Sequence, residues 1–149
     1  IEVGVWRGDF SEKILERKPQ KLYLIEINPN YCRDLAIRFK KYVDAGIVEI
    51  ICENSCTALK RFAKESIDYV YIDAGHEYHD VIRDLEDSHP ILKKSGLIGL
   101  NDYIFYDYIM PLKYGVMQAS HDFILKYTYN VMAFCLEPHG FHDLLIRKP

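Results

Sequence analysis

The chain has 149 residues, 49% apolar and 28% charged, with a net charge of −3. That length suits one compact domain with a buried core. An acidic balance without lysine or arginine clusters argues against nucleic acid as a partner. No apolar run nears the roughly 20 residues that cross a bilayer, and no secretory signal is visible. Cys32, Cys52, Cys56 and Cys135 form no C-x-x-C pair, so reduced thiols in a cytoplasmic protein are expected rather than a zinc site or redox motif.

Ile1 to Val5 reads as a short buried strand. Because the chain opens inside this strand without a methionine, it is expected to be cut from something longer. Asp9 and Glu12 form a D-x-x-E cap ahead of Phe10, Ile14 and Leu15 at helical spacing. Lys21 to Ile27 is the second strand. Tyr31, Leu35, Phe39 and Val43 recur every fourth residue after Asn28-Pro29, which predicts an amphipathic helix. Ile47 to Cys52 is the third strand, and Ser55 caps a short helix carrying Leu59, Phe62 and Ala63. Ile67 to Asp73 is the fourth strand. The next helix bears Val81, Ile82 and Leu85, and Pro90 ends or kinks it. Leu97 to Leu100 is the fifth strand, and Tyr103 to Tyr114 is aromatic and irregular. Val116, Ala119, Phe123 and Tyr127 mark a last helix. Asn130 to Leu136 and Phe141 to Ile146 are strands joined across Pro138-His139-Gly140.

Five strand–helix alternations and a closing hairpin predict an α/β fold over residues 1–149. It has a seven-stranded, mostly parallel Rossmann-like sheet with helices on both faces and an antiparallel edge. Ligands in such sheets bind beyond the carboxyl ends of the strands, at the switch point. Three groups of residues fall there. Gly4 and Gly8, in E-V-G-V-W-R-G-D-F-S, let the first turn pass close under a ligand, and the following helix start offers free N–H groups to an anion. Their spacing is G-x-x-x-G, unlike the G-x-G-x-x-G of dinucleotide enzymes. Glu26 ends strand two, where it either accepts from ribose hydroxyls or is merely solvated. Asp73 and His76 follow strand four, and Asn101 and Asp102 end strand five. The two carboxylates and the amide oxygen suit Mg²⁺, or they cap turns. His76 suits a general base near neutral pH, or it is a surface histidine. His79, His89, His121, His139 and His142 show no metal spacing and read as structural or solvated. Tyr103, Phe105, Tyr106, Tyr108 and Tyr114 roof a pocket, form a homo-oligomer face, or cover the sheet edge.

E-x-G-x-x-x-G followed by an acidic residue at the end of strand two resembles motifs one and two of class I S-adenosylmethionine-dependent methyltransferases. G-V-W-R-G, I-D-A-G-H-E-Y and L-N-D-Y resemble the macrocin-type sugar and small-molecule O-methyltransferases. The resemblance implies that Gly4 and Gly8 lie beneath the methionine end of the cofactor, with Glu2 near its amino group. Glu26 takes the ribose, and Asn54-Ser55 contacts the adenine. Asp73, Asn101 and Asp102 hold a divalent ion, and His76, three residues after Asp73, is the base. Asn54 stands where the family commonly has aspartate, and Ser95-Gly96 replaces a double glycine. Ser11 lies one residue later than the carboxylate-binding serine of catechol-type enzymes. The function implied is O-methylation of a hydroxylated small molecule or sugar. The competing readings are another nucleotide enzyme, against which the missing third glycine counts, and a catalytically silent binding or scaffold domain on the same fold.

Overall fold

A computed structural model describes residues 1–149. The elements are β1 (Glu2–Val3), α1 (Asp9–Glu16), β2 (Leu22–Glu26), α2 (Pro29–Arg38), α3 (Lys40–Asp44), β3 (Val48–Cys52) and α4 (Ser55–Ala58), the last continued by a 3₁₀ turn. Then come β4 (Ile67–Ile72), α5 (Tyr78–Ile91), β5 (Leu92–Leu100), β6 (Tyr106–Asp107), β7 (Leu112–Lys113), α6 (Val116–Tyr127), β8 (Asn130–Cys135) and β9 (Asp143–Arg147).

Seven strands form one sheet in the order β3-β2-β1-β4-β5-β9-β8. All pairs are parallel except those made by β9, which runs antiparallel to both β5 and β8. This is the α/β architecture expected from the sequence. The chain moves outward from β1 to β3 on one side, then returns to β4 on the other. The connections therefore diverge above β1 and β4 and open a crevice there. No helix is long and apolar enough to cross a membrane.

Strand alternation sorts side chains into two layers. Val70, Ile72, Leu100 and Ile146 pack with Leu85 of α5 and Phe123 of α6 on one face. Leu22, Leu24 and Val48 pack with Leu15, Leu35 and Phe39 on the other. Complete burial of side chains this size stabilises by about 1.5–3 kcal/mol each. Tyr71, one step off Val70 and Ile72, faces the second layer and stacks on Phe10 of α1 with ring centroids 3.9 Å apart.

Several local expectations need correction. Asp9 and Glu12 do not cap α1; Gly8 occupies the cap position with no side-chain bond. Both carboxylates instead accept from Arg38, at 2.7 and 2.8 Å, because a guanidinium offers a stronger partner than an exposed N–H. Asn54 rather than Ser55 caps α4, its side chain accepting from Cys56 N at 3.0 Å. That helix ends at Ala58, so Phe62 lies beyond it and packs edge-on against Tyr23. The predicted helix through Val43 breaks at Phe39 into α2 and α3. Pro90 sits in the last turn of α5, which stops one residue later. β5 starts at Leu92, earlier than the pattern suggests, and passes through a left-handed Ser95. The aromatic segment contains the small β6–β7 hairpin.

Candidate active site

A cavity of about 350 Å³ opens above the carboxyl ends of β1, β2 and β4, with Gly4, Glu26, Asn54, Ser55 and Asp73 in its wall. Trp6, Tyr31, Glu53, Asp80, Asp84 and a single cation, Arg83, also line it, with Val3 and Ile25 supplying apolar surface. Most of these groups come from strand ends, so the sheet register fixes their spacing. Asp73 N donates to Val3 O at 2.8 Å, and Asn101 N donates to Ile72 O at 3.0 Å. The ends of β1, β4 and β5 are thereby locked side by side.

The turn after β1 alternates left-handed residues: Gly4 at φ +80°, Trp6 at +51° and Gly8 at +84°. A Cβ on Gly4 would lie 2.1 Å from the Asp73 carbonyl oxygen. The first glycine is thus required by the backbone of β4, whatever ligand lies above. Gly8 has a different neighbour: its Cβ would strike Phe39 at 2.6 Å, and it does not line the cavity. It serves the packing of α1 on α2. Trp6 carries a side chain in a conformation that costs about 1–3 kcal/mol. Its N–H donates to Glu26 Oε2 at 2.9 Å, beside Val5 N at 3.1 Å.

Glu26 is almost fully buried and also accepts from Asn28 N through Oε1 at 2.8 Å. Three of its roughly four acceptor positions are therefore filled by its own chain, leaving one for a ligand. Glu2 is buried beneath the turn and accepts from Ser11 Oγ at 2.6 Å. Burial pushes its carboxyl up to about 7, and the Ser11 hydrogen bond only partly opposes this. Glu2 does not line the cavity, and Ser11, itself fully buried, is committed to Glu2.

At the far wall Ser55 Oγ donates to Asp84 Oδ1 at 2.6 Å, and burial pushes Asp84 up to about 6. Asp84 escapes a reading by strand ends because it lies mid-helix in α5; Glu53 directly follows β3, where it pairs with Arg61. Glu53 keeps one buried oxygen without a hydrogen bond.

Beside the cavity, Asp73, His76 and Asp102 bring one donor atom each within 4.8 Å of one another. His76 Nε2 lies 3.3 Å from Asp102 Oδ2 and 3.8 Å from Asp73 Oδ1. It is buried and makes no hydrogen bond. Asp102 is held in the left-handed region at φ +52°. Burial pushes its carboxyl up to about 6, against the pull of His76. Asn101, next to Asp102, donates its amide nitrogen to Asp143 Oδ1 at 3.0 Å. Asp143 starts β9 and also accepts from Tyr71 Oη at 3.4 Å. It lies forty-odd residues along the chain, and only the antiparallel β5–β9 register reveals it. His89 packs against Tyr127, Phe123 and Tyr129, away from this cluster.

Residues 1–103 match a family model described as a methyltransferase domain. The chain belongs to this methyltransferase family. The match ends just after Asp102, so it spans both halves of the crevice and stops before the β6–β7 hairpin. No curated protein sequence matches the chain. Among solved structures, a SAM-dependent methyltransferase from Aquifex aeolicus superposes with a TM-score of 0.74 at 10% identity, over 99% of this chain and 80% of that one. One from Methanosarcina mazei gives 0.72 at 13% identity, over 99% and 90%. A spermidine synthase from Thermotoga maritima gives 0.69 at 18% identity, over 99% of this chain and 53% of that one. At such identities the likeness is one of fold. A methyltransferase domain on this fold accounts for the cavity at the β1–β4 switch point.

Proposed function

We propose that the chain binds S-adenosylmethionine in the cavity above β1, β2 and β4 and transfers its methyl group to a hydroxyl of a small molecule or sugar, as macrocin-type enzymes do. The observation that carries this reading is the pairing of two unlike sites. A cavity walled by Gly4, Glu26 and Asn54 adjoins a cluster of Asp73, His76 and Asp102. The cofactor's sulfonium and amino group are cationic, which suits a wall whose carboxylates, Glu26, Glu53, Asp73, Asp80 and Asp84, outnumber its one cation, Arg83. The open acceptor position on Glu26 suits a ribose hydroxyl. The second lone pair of the Asn54 oxygen suits the adenine amino group.

Methyl transfer is an in-line displacement, so the protein must align acceptor oxygen, methyl carbon and sulfur. In this reading His76 takes the hydroxyl proton at Nε2, and the Asp73 and Asp102 carboxylates stabilise the imidazolium. The methyl carbon bonds to the acceptor oxygen as its bond to sulfur breaks, leaving S-adenosylhomocysteine.

The same cluster fits a divalent cation. Two carboxylates and an imidazole nitrogen without a hydrogen bond converge on one point, a donor set that suits Mn²⁺ as readily as Mg²⁺. With an ion there Nε2 would be a ligand, and the ion rather than the imidazole would activate the hydroxyl. Asp73 and Asp102, with Asn101 beside them, would hold the ion, which would lower the pKa of a bound hydroxyl.

Calorimetric titration with S-adenosylhomocysteine, with and without Mg²⁺, tests the reading. Wild type should bind in the micromolar range, about 8 kcal/mol, and Glu26→Gln should bind at least about tenfold more weakly, as a lost charged hydrogen bond implies. No binding by a folded protein would favour the silent methyltransferase-like domain.

A further inference from the structure

The imidazole of His76 is not held by hydrogen bonds of its own. Nε2 makes none, and its nearest polar neighbours are the carboxylates of Asp73 and Asp102. What confines the ring is the segment beyond residue 103. Tyr114 lies flat against it, with ring centroids 4.6 Å apart and planes 7° from parallel. Tyr114 is pinned in turn, its hydroxyl donating to Asp107 Oδ2 at 2.9 Å. The other oxygen of Asp107 accepts from Ile109 N at 2.7 Å and Met110 N at 3.0 Å. These bonds hold Asp107 below the usual carboxylate range, and the residue is buried although its hairpin neighbours Tyr108, Ile109 and Met110 are exposed. A second tether fixes the backbone: Gly115 N donates to His76 O at 2.7 Å. Gly115 admits no Cβ, because one would lie 2.1 Å from Tyr78 N.

We propose that Tyr114, locked by Asp107, is a positioning residue that holds the His76 ring edge-on to Asp73 and Asp102. The inference rests on the reading of His76 as part of the acceptor site. An imidazole on a loop turns about two side-chain bonds. A parallel aromatic face blocks that rotation and leaves the ring edge free to face the carboxylates. The hairpin thus contributes no reacting group; it sets the direction in which one points.

The test needs no acceptor. Diethyl pyrocarbonate acylates accessible neutral imidazoles, and at about pH 8 an ordinary histidine is neutral. Modification is followed residue by residue by peptide mass spectrometry, with the exposed His79 and His139 as internal references. In wild type His76 should react slowly. Tyr114→Leu should raise its rate severalfold while the reference histidines stay unchanged. Tyr114→Phe, which keeps the ring, should restore most of the protection. Asp107→Ala, which frees the tyrosine without removing it, should give a smaller rise and serves if Tyr114→Leu does not fold. Equal rates at His76 in all four proteins would overturn the proposal. So would a rise shared by every histidine, which marks general loosening. Adding Mn²⁺ to wild type separates this result from the reading beneath it. Further slowing at His76 supports the cation site. No effect of Mn²⁺, alongside a Tyr114-dependent rate, overturns the metal part and supports the positioning role.

Discussion

The two halves of the crevice are finished to different degrees. On the β1–β2 side, carboxylates are already satisfied by their own chain: Glu26 by three backbone N–H groups and Glu2 by Ser11. On the β4–β5 side, Asp73, His76 and Asp102 face one another with an unbonded nitrogen between them. Buried polar groups are normally paired. A half with most of its pairs made, Glu53 Oε2 excepted, is largely shaped before anything binds, whereas a half whose facing groups are unpaired is completed by what binds. In the proposed reading, the contrast is that between a site for an invariant cofactor and one for a variable acceptor.

The sharpest way to break the contrast is at the seam. Gly4→Ala places a Cβ into the Asp73 carbonyl at a positive φ. Combining left-handed strain with overpacking, it should cost about 3–5 kcal/mol in urea unfolding. Next comes the buried acid of the finished half. With its carboxyl raised from 4.5 to about 7, folded Glu2 keeps a proton that the unfolded chain has lost. Stability should therefore fall as pH rises from about 4.5 to about 7 and level off above that. Glu2→Gln should remove that slope, on the order of 3 kcal/mol in all, when urea midpoints are measured against pH. Asp84, pushed up to about 6, adds to the lower part of the same window. Glu26→Ala should then destabilise the ligand-free protein by about 1–3 kcal/mol through stranded N–H groups. A neutral result would mean that water satisfies that turn as well as the carboxylate does. The smallest effect concerns the unfinished half. Mn²⁺ at ten times its dissociation constant should add about 1.4 kcal/mol. That corresponds to about 3–5 °C in Tm for a chain of this size, and Asp102→Asn should abolish it. An unchanged Tm in wild type would leave the cluster without a metal role.

Which of this could be read from the sequence follows from range. Strand–helix alternation is local, so the mostly parallel seven-stranded sheet with its antiparallel edge was legible, as were the places of Gly4, Glu26, Asp73 and Asp102 at strand ends. Partners chosen across the fold were not. Asp9 and Glu12 look like a cap until Arg38 arrives from α2. Asn101 shows no sign of its partner Asp143 until β9 brings it across. Gly8 looks like the floor of a ligand site until Phe39 is seen against it. His76 was singled out for its spacing from Asp73, yet the ring that fixes its direction lies at Tyr114, in a segment whose periodicity says little.

The shortest strand of the sheet, β1, lies in its interior, third of seven. Glu2 and Val3 pair on one side with Leu24 and Ile25 and on the other with Tyr71 and Ile72. A chain made from its amino end can close the first pairing early. The second must wait until Ile72 has emerged, and at ~5–20 residues per second that delay is on the order of ten seconds. Through that interval β1 has one neighbour, and Gly4 has no Asp73 carbonyl to avoid. The turn after β1 therefore takes its final shape late in synthesis, when β4, followed by Asp73, docks against it.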